Sequence, residues 1–336
     1  MMKSIRQKSE EIERQCLSPY ALFSDEAQRE RAEEACPVRT AFQRDRDRIL
    51  HSKSFRRLKH KTQVYISPGD HYRTRMTHSL EVAQIARTIA RALRLNEDAT
   101  EAMALGHDVG HTPFGHSGEY ALDALIGHYS HNEQSLRIVK HLEKNGRGLN
   151  LTSAVCDGIL CHTGDRLPQS LEGRIVRISD RIAYLCHDYD DSLRAGLLYP
   201  DEMPGDIRSA IGTSPADMIT AMVTDVVHFS TGEKTIYQSD EMKNAMDSFR
   251  EFMFEKVYHS APLEPDRDRA SYVLTTLFEY FNHTPEKLPE EFRAGIKRWG
   301  QTAVVADYIA GLTDVYAIEL FEELFIPRKW MGHQSK

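Results

Sequence analysis

Residues 102–120 read Ala-Met-Ala-Leu-Gly-His-Asp-Val-Gly-His-Thr-Pro-Phe-Gly-His-Ser-Gly-Glu-Tyr. Three of the chain's 16 histidines, His107, His111 and His116, crowd into ten residues there, and His107 stands beside Asp108. Adjacent side chains on a helix diverge by about 100°, because a turn takes ~3.6 residues. His107 and Asp108 can therefore share one ion only at the C-terminal edge of a helix, with other elements supplying the remaining ligands. Gly106 and Gly110 flank the pair, so the helix can stop there and neighbouring backbone can come close. Imidazole with carboxylate suits a divalent transition metal or Mn²⁺ better than a thiolate-type zinc site. A lone His-Asp pair also fits an ordinary polar helix end, so the metal reading needs two more ligands from the rest of the fold.

Working outward, the flanking patterns are helical. Val82, Ile85, Ala86, Ile89, Ala90 and Leu93 keep the 3–4 spacing of a helix, with His78 at its start beside Thr77, the N-cap candidate. Asn96 caps a helix that ends at His107-Asp108, with Glu97, Asp98 and Glu101 in its first turns. Helices follow over about 116–126, 132–144, 152–162 and 171–195. In the last of these, Ile175, Ile178, Ile182 and Leu185 form a core stripe, while Asp180, Tyr184, His187, Asp188 and Asp191 form a second stripe that reads as the lining of a site. Helical patterns continue from Asp217 to Phe229, Met242 to Tyr258, Ser271 to Phe281 and Ala303 to Leu324. The fold class expected is all-α, with an N-terminal arm over 1–38, a catalytic core over 39–196 and a C-terminal helical region over 197–336. Only Val64-Tyr65-Ile66, before the turn Ser67-Pro68-Gly69-Asp70, looks strand-like, as one arm of a hairpin.

A length of 336 residues allows a large core. The 40% hydrophobic and 28% charged content is that of an ordinary globular protein. The net charge of −7 argues against a general nucleic-acid coat. Five cysteines without a Cys-x-x-Cys pair point to reduced thiols and a cytoplasmic protein. The N-terminus has no apolar signal-like run, and no run approaches membrane-spanning length. The first 35 residues are charge-dense and read as a solvated arm or a subunit-packing segment. Between Arg39 and Lys61 stand nine Arg or Lys against Asp45 and Asp47. Because Phe42, Ile49, Phe55 and Leu58 run through this block, it should pack and present a basic surface suited to a polyanion such as a triphosphate.

His78, His107, Asp108 and Asp180 come from three helices in the order His…His-Asp…Asp, and would leave positions open on a roughly six-coordinate ion. At this point the chain resembles the HD-domain metal-dependent phosphohydrolases. Arg39-Thr-Ala-Phe-Gln-Arg-Asp-Arg-Asp-Arg-Ile-Leu-His-Ser-Lys-Ser-Phe-Arg-Arg-Leu58 with Lys61-Thr-Gln63, the run 107–119, Leu171 to Tyr184 with His187-Asp188, and Asp307-Tyr-Ile-Ala-Gly-Leu-Thr-Asp314 are similar to the bacterial dGTP triphosphohydrolase-like proteins, and through them to the eukaryotic SAM-and-HD-domain dNTPases. The resemblance implies hydrolysis of a dNTP to deoxynucleoside and inorganic triphosphate, with a divalent metal (Mn, Mg, Fe, Co, Ni or Zn). It places His116 with Glu119 at the catalytic dyad, Glu119 at i+3 orienting the imidazole and keeping it protonated, and His111 beside the phosphates. Whether His116 donates to the leaving oxygen or handles the attacking water stays open.

By the same resemblance Arg75 and Arg181 fall at phosphate-binding positions, Gln63, Tyr184 and Asp188 at deoxyribose contacts, and Arg250 and Tyr258 at a further phosphate clamp and sugar contact. His162 and Asp191 stand as groups behind the ligands. A homo-oligomer is implied. A dNTP activator and single-stranded DNA are further partners of the family, which the compact C-terminal half puts in question; Cys186 departs from the polar residue expected there. The alternatives are another HD-domain hydrolase (a nucleotidase, a cyclic-nucleotide phosphodiesterase or a guanosine-tetraphosphate hydrolase) and a non-catalytic nucleotide or single-stranded nucleic-acid binder.

Overall fold

The computed structural model describes residues 3–66, 69 and 71–327, and its regular elements are helices. In chain order these are α1 (Ile5–Cys16), α2 (Ala41–Leu50), α3 (Lys53–Arg57), α4 (Arg75–Ala92), α5 (Glu97–Gly106), α6 (His116–Ile126), α7 (His131–Arg137), α8 (Glu143–Gly146), α9 (Ser153–Cys161), α10 (Leu171–Arg194), α11 (Gly205–Ile211), α12 (Pro215–Ser230), α13 (Asp240–Met253), α14 (Glu264–His283), α15 (Glu290–Arg293), α16 (Ile296–Trp299), α17 (Gln301–Ala310) and α18 (Asp314–Phe325). The all-α class read from periodicity is the class observed. Ser67, Pro68 and Asp70 of the expected turn lie outside the described residues.

Helices α4, α5 and α10 form the heart of the molecule. Ala99, Ala102 and Ala104 of α5 are fully buried, and their small side chains let α2, α4 and α10 close on it. Helix α10 spans 24 residues, about 36 Å at 1.5 Å per residue, and buries Ile175, Ile182 and Leu185 completely. Each such side chain contributes roughly 1.5–3 kcal/mol when withdrawn from water. Cys186 joins this core, fully buried, so an apolar neighbourhood accounts for the residue there. A second apolar cluster holds Leu122 of α6 with Leu274, Leu277 and Phe281 of α14 and Val305 and Ile309 of α17. The two cores meet around the loop that carries His111.

Several local expectations need correction. The N-cap of α4 is Thr74, with Thr77 completing its capping box, so His78 lies one turn inside the helix. Val64-Tyr65-Ile66 forms no strand; the nearest pairing is an isolated bridge between Thr62 and Thr74. The 132–144 helix is broken by a wider π turn over Ile138–Leu142 and by positive φ at Lys144 and Asn145. The 303–324 helix is two, α17 and α18, because Gly311 caps the first and Thr313 starts the second. The N-terminal arm is anchored along its second half. Leu22 N donates to Glu172, and Arg29 pairs with Asp45 and donates to the Asn150 carbonyl.

The basic block does pack, with Phe42, Ile49 and Leu58 buried, but its charges face acids. Arg39 pairs with Asp47, Arg46 with Asp98, and both Arg44 and Arg48 with Glu33. None of its residues lines the cavity that holds the histidines, so the expectation that it serves a triphosphate there does not hold.

Candidate active site

Three helices deliver the four residues His78, His107, Asp108 and Asp180 to one point. Helix α4 presents His78 and α10 presents Asp180, with His78 Nε2 3.0 Å from Asp180 Oδ1. Helix α5 ends at its C-cap His107, whose Nε2 lies 3.4 Å from Asp108 Oδ1 and 3.6 Å from Asp180 Oδ1. Asp108 Oδ2 is 3.9 Å from His78 Nε2. These separations are edge lengths of a coordination polyhedron with ligands near 2.1 Å.

The donor set fits a divalent cation. His107 Nδ1 donates to the Ala104 carbonyl at 2.6 Å, which leaves the Nε2 lone pair aimed at two carboxylates, fully buried and without a hydrogen-bond partner. Two buried carboxylates meeting two imidazoles need positive charge between them. In the metal-free protein protons stand in. Burial works against the His107 imidazolium, but Asp108 and Asp180 outweigh it and raise its pKa to about 9. Burial is likewise overcome at Asp108 by His107, His111 and Arg75, and at Asp180 by His107 and His78; both stay well below the ordinary carboxylate value.

Beside this ring opens a cavity of about 370 Å³. Gly110, whose added Cβ would meet the Ser135 N and His131 O at 2.2 and 2.3 Å, lets the loop after α5 lie directly on α7. That loop carries His111, whose Nε2 is 3.2 Å from Asp108 Oδ1. Gly115, with φ of +58°, turns the chain into α6. His116 begins α6 and faces the cavity, its Nδ1 3.1 Å from Glu119 Oε2. Glu119 also accepts from the His131 backbone N at 2.8 Å and its Nδ1 at 3.0 Å. Burial would raise the Glu119 pKa, yet the hydrogen bonds from His116 and His131 hold it far below the usual range. Desolvation pushes the His116 pKa down, Glu119 pulls it up, and the Arg75 charge adds to the decrease. The net direction is downward, and what the geometry fixes is the orientation that Glu119 gives the ring.

The remaining residues divide. Arg75 is buried, donating from Nε to Thr62 O at 3.0 Å and from Nη1 to Asp108 at 3.1 Å, while its Nη2 has no partner. Gln63, Tyr184, Asp188, Arg250 and Tyr258 all line the cavity. Asp188 accepts from the Tyr258 hydroxyl at 2.6 Å through Oδ2, leaving Oδ1 buried and unpartnered, and burial raises its pKa to about 6. Arg181 is not part of the lining; it pairs with Asp247. Asp191 turns to Arg73, just ahead of α4, and His187 to Glu81 of α4. His162 sits edge-on to His107, ring centroids 4.9 Å apart.

Sequence reading missed His131, which joins Glu119, His111 and His162, and Arg267, which lines the cavity from α14. The signal for His131 was a fifth histidine in 25 residues, after His107, His111, His116 and His128, at a helix start; Arg267 gave none.

A helical scaffold with this His and Asp ring defines a metal-dependent phosphohydrolase centre of the HD type. Residues 75–185 match the HD domain and 236–323 the phosphohydrolase-associated domain. Proteins called deoxyguanosinetriphosphate triphosphohydrolase-like are 53% identical in Caldanaerobacter subterraneus subsp. tengcongensis (97% of either chain), 47% in Clostridium perfringens strain 13 (96% of this chain, 98% of that one) and 38% in Geobacter sulfurreducens (94% and 97%). The crystal structure of a hypothetical protein from Aquifex aeolicus shares the fold at a TM-score of 0.50 and 19% identity, over 84% of this chain and 68% of that one. The chain belongs to the deoxyguanosinetriphosphate triphosphohydrolase-like family and is an HD hydrolase. No helix among the described residues is long and apolar enough to cross a membrane.

Proposed function

We propose that the protein hydrolyses a dNTP to deoxynucleoside and inorganic triphosphate by attack of water on the α-phosphorus. The observation that carries this reading is that one cavity is lined by His78, Asp108 and Asp180 of the ring, by His116, and by two residues with unpartnered buried atoms, Arg75 Nη2 and Asp188 Oδ1. A cation for phosphate and an acceptor for a hydroxyl thus wait within a single cleft. The names of the relatives support the substrate class.

His78, His107, Asp108 and Asp180 would hold the divalent ion, which when bound supplies Lewis acidity where charge builds on the phosphoryl oxygens. Arg75, with Arg250 and Arg267 nearer the mouth, binds the triphosphate. Asp188 accepts from the sugar 3′-hydroxyl while Tyr258 fixes its other oxygen. Tyr184 packs under the ring and rejects a 2′-hydroxyl by bulk. His116, clamped at Nδ1 by Glu119, handles the proton at Nε2, accepting it from the attacking water and then passing it to the 5′-oxygen. His111 lies beside the phosphates. The five free cysteines support a reducing compartment, the cytoplasm, and the charged, part-exposed α1 supports a homo-oligomer.

The test is incubation of the four dNTPs, singly and in pairs, with protein carrying Mn²⁺, Mg²⁺ or Co²⁺, and chromatography of the products. Nucleoside plus triphosphate is the expected result. Nucleoside monophosphate plus diphosphate, or turnover of cyclic nucleotides or guanosine tetraphosphate alone, overturns it; DNA binding without turnover identifies a binder. Stimulation only in the paired reactions would reveal a dNTP activator.

A further inference from the structure

We infer that Lys61 is a positioning residue for the reaction proposed above: its buried amine holds the His111 backbone, and with it the loop between α5 and α6, against the end of α17. Its kinetic role rests on that reading; the tie itself does not.

Lys61 ends the basic block that begins at Arg39, and its surroundings differ from those of Arg39, Arg46 or Arg48. Those three meet part-exposed carboxylates. Lys61 is 3% exposed, and its Nζ donates to two backbone carbonyls, His111 O at 2.5 Å and Ala310 O at 2.8 Å. Ala310 is the last residue of α17, where helix carbonyls lack intrahelical partners and carry the negative end of the dipole. A buried amine is held there without a carboxylate. Burial and the Arg57 charge push its pKa down to about 7, against the pull of Asp314. Charged or neutral, it has the two N–H groups that these bonds need, so the tie does not depend on its state.

What the amine holds leads straight to the chemistry. His111 Nε2 lies 3.2 Å from Asp108 Oδ1, and its ring stacks on His131 with centroids 4.0 Å apart; Lys61 fixes the carbonyl of the same residue. The turn that follows is braced internally, Thr112 Oγ1 donating to Gly115 O at 2.8 Å, so a shift at the His111 carbonyl passes on to His116. Both histidines line the cavity. The Lys61 carbonyl in turn accepts from Arg75 N at 3.1 Å, so one residue joins the phosphate-binding arginine to the histidine loop. Asp314 grips the far side of that loop at Phe114 N. Two neighbouring parts of the C-terminal region thus hold the loop at separate points, and Lys61 is the link for the first.

Lys61→Met keeps most of the stem and removes the donors, leaving two buried carbonyls without them, so the variant should melt lower. In metal-loaded protein well below its melt, kcat on dNTP should fall about 10–10²-fold, by more than KM changes, with the parent's metal content. Met222→Ala, buried in α12, controls for lost stability alone and keeps the parent's kcat. Hydrogen exchange read by mass spectrometry gives a second measure. In Lys61→Met it should quicken over 109–116 and at the end of α17, and match the parent elsewhere. A kcat equal to the parent's, or a loss no larger than the control's, overturns the positioning role, as does exchange that quickens throughout the chain. If the parent turns over no dNTP, the proposed reaction fails by itself and exchange alone decides: unchanged rates over 109–116 overturn the tie, and faster rates confined there uphold it. Should Lys61→Met not fold, Lys61→Gln, which keeps an N–H donor on a shorter stem, is read by the same two measures.

Discussion

At the scale of single residues, the site depends on which atoms are left without partners. His116 is committed at Nδ1 to Glu119, so its replacement by Ala should lower turnover on the order of 10²–10⁴-fold with little change in metal content, measured by initial rates and elemental analysis. Asp188 supplies a prediction in pH. Burial raises its pKa from 3.8 to about 6, so the folded chain holds a proton that the unfolded chain has already lost. The stabilisation this gives is present below pH 3.8 and is lost as pH rises through about 6, an effect on the order of 3 kcal/mol at ~1.4 per unit. Asp188→Asn cannot ionise and should therefore gain stability relative to the parent as pH is raised from 5 to 8, read by thermal melts of ligand-free protein. It should also bind dNTP more weakly. The same residues show what was legible beforehand. His107 and Asp108 were marked locally, by the helix that ends on them, whereas His78, Asp180 and His116 were singled out with the help of the family resemblance. Arg181 could not be placed, since only the fold reveals Asp247 beside it. The direction in which the His116 pKa moves depends on its desolvation, on Glu119 and on the Arg75 charge beside it, which no local spacing encodes.

Among the elements, the loop that follows α5 lies directly against α7 beside the site. An alanine Cβ at Gly110 would come within 2.2 Å of the Ser135 backbone N, and backbone cannot move aside as a flexible side chain can. The Ser135 hydroxyl meanwhile receives Gly110 N at 2.8 Å and donates to His107 O at 2.7 Å. Gly110→Ala should thus separate α7 from the metal-bearing loop, lowering melting temperature and metal affinity together. Loss of stability with unchanged metal binding would contradict this account. Helix existence was readable throughout α4 to α10, because long apolar periods and caps such as Asn96 and Thr152 state it locally. Breaks were not, where tertiary contacts decide. The π turn at Ile138–Leu142 and the α17–α18 junction interrupt periods that continue across them. The basic block misled for a related reason. Its positive charge is real, but its partners, Glu33 and Asp98, lie outside it in sequence.

For the molecule as a whole, the question is why the helices after residue 260 are needed by a site built on α4, α5 and α10. The segment Asp307 to Asp314 answers through its two acids. Asp307 of α17 accepts from Gln134 at 3.0 Å and from Arg137 Nε and Nη2 at 2.7 Å each, fixing α7 and with it His131. Asp314, at the start of α18, accepts from Thr62 N at 2.8 Å through one oxygen and from Phe114 N at 2.9 Å through the other. Thr62 adjoins Gln63, and Phe114, held at a φ of +61°, leads through Gly115 into His116. One buried carboxylate therefore ties together the sugar-side wall and the turn that aims the catalytic imidazole. Asp314→Ala would strand two buried N–H groups, at roughly 1–3 kcal/mol each, and free a backbone conformation that a Phe does not hold unaided. We expect a melting temperature several degrees lower and, in the protein that remains folded, a fall in kcat exceeding any change in KM or in metal content. The metal ring lies on other helices and should stay intact. Equal losses in metal binding and turnover would show that Asp314 serves stability alone, whereas loss of turnover with the ion retained shows that the second core positions the site.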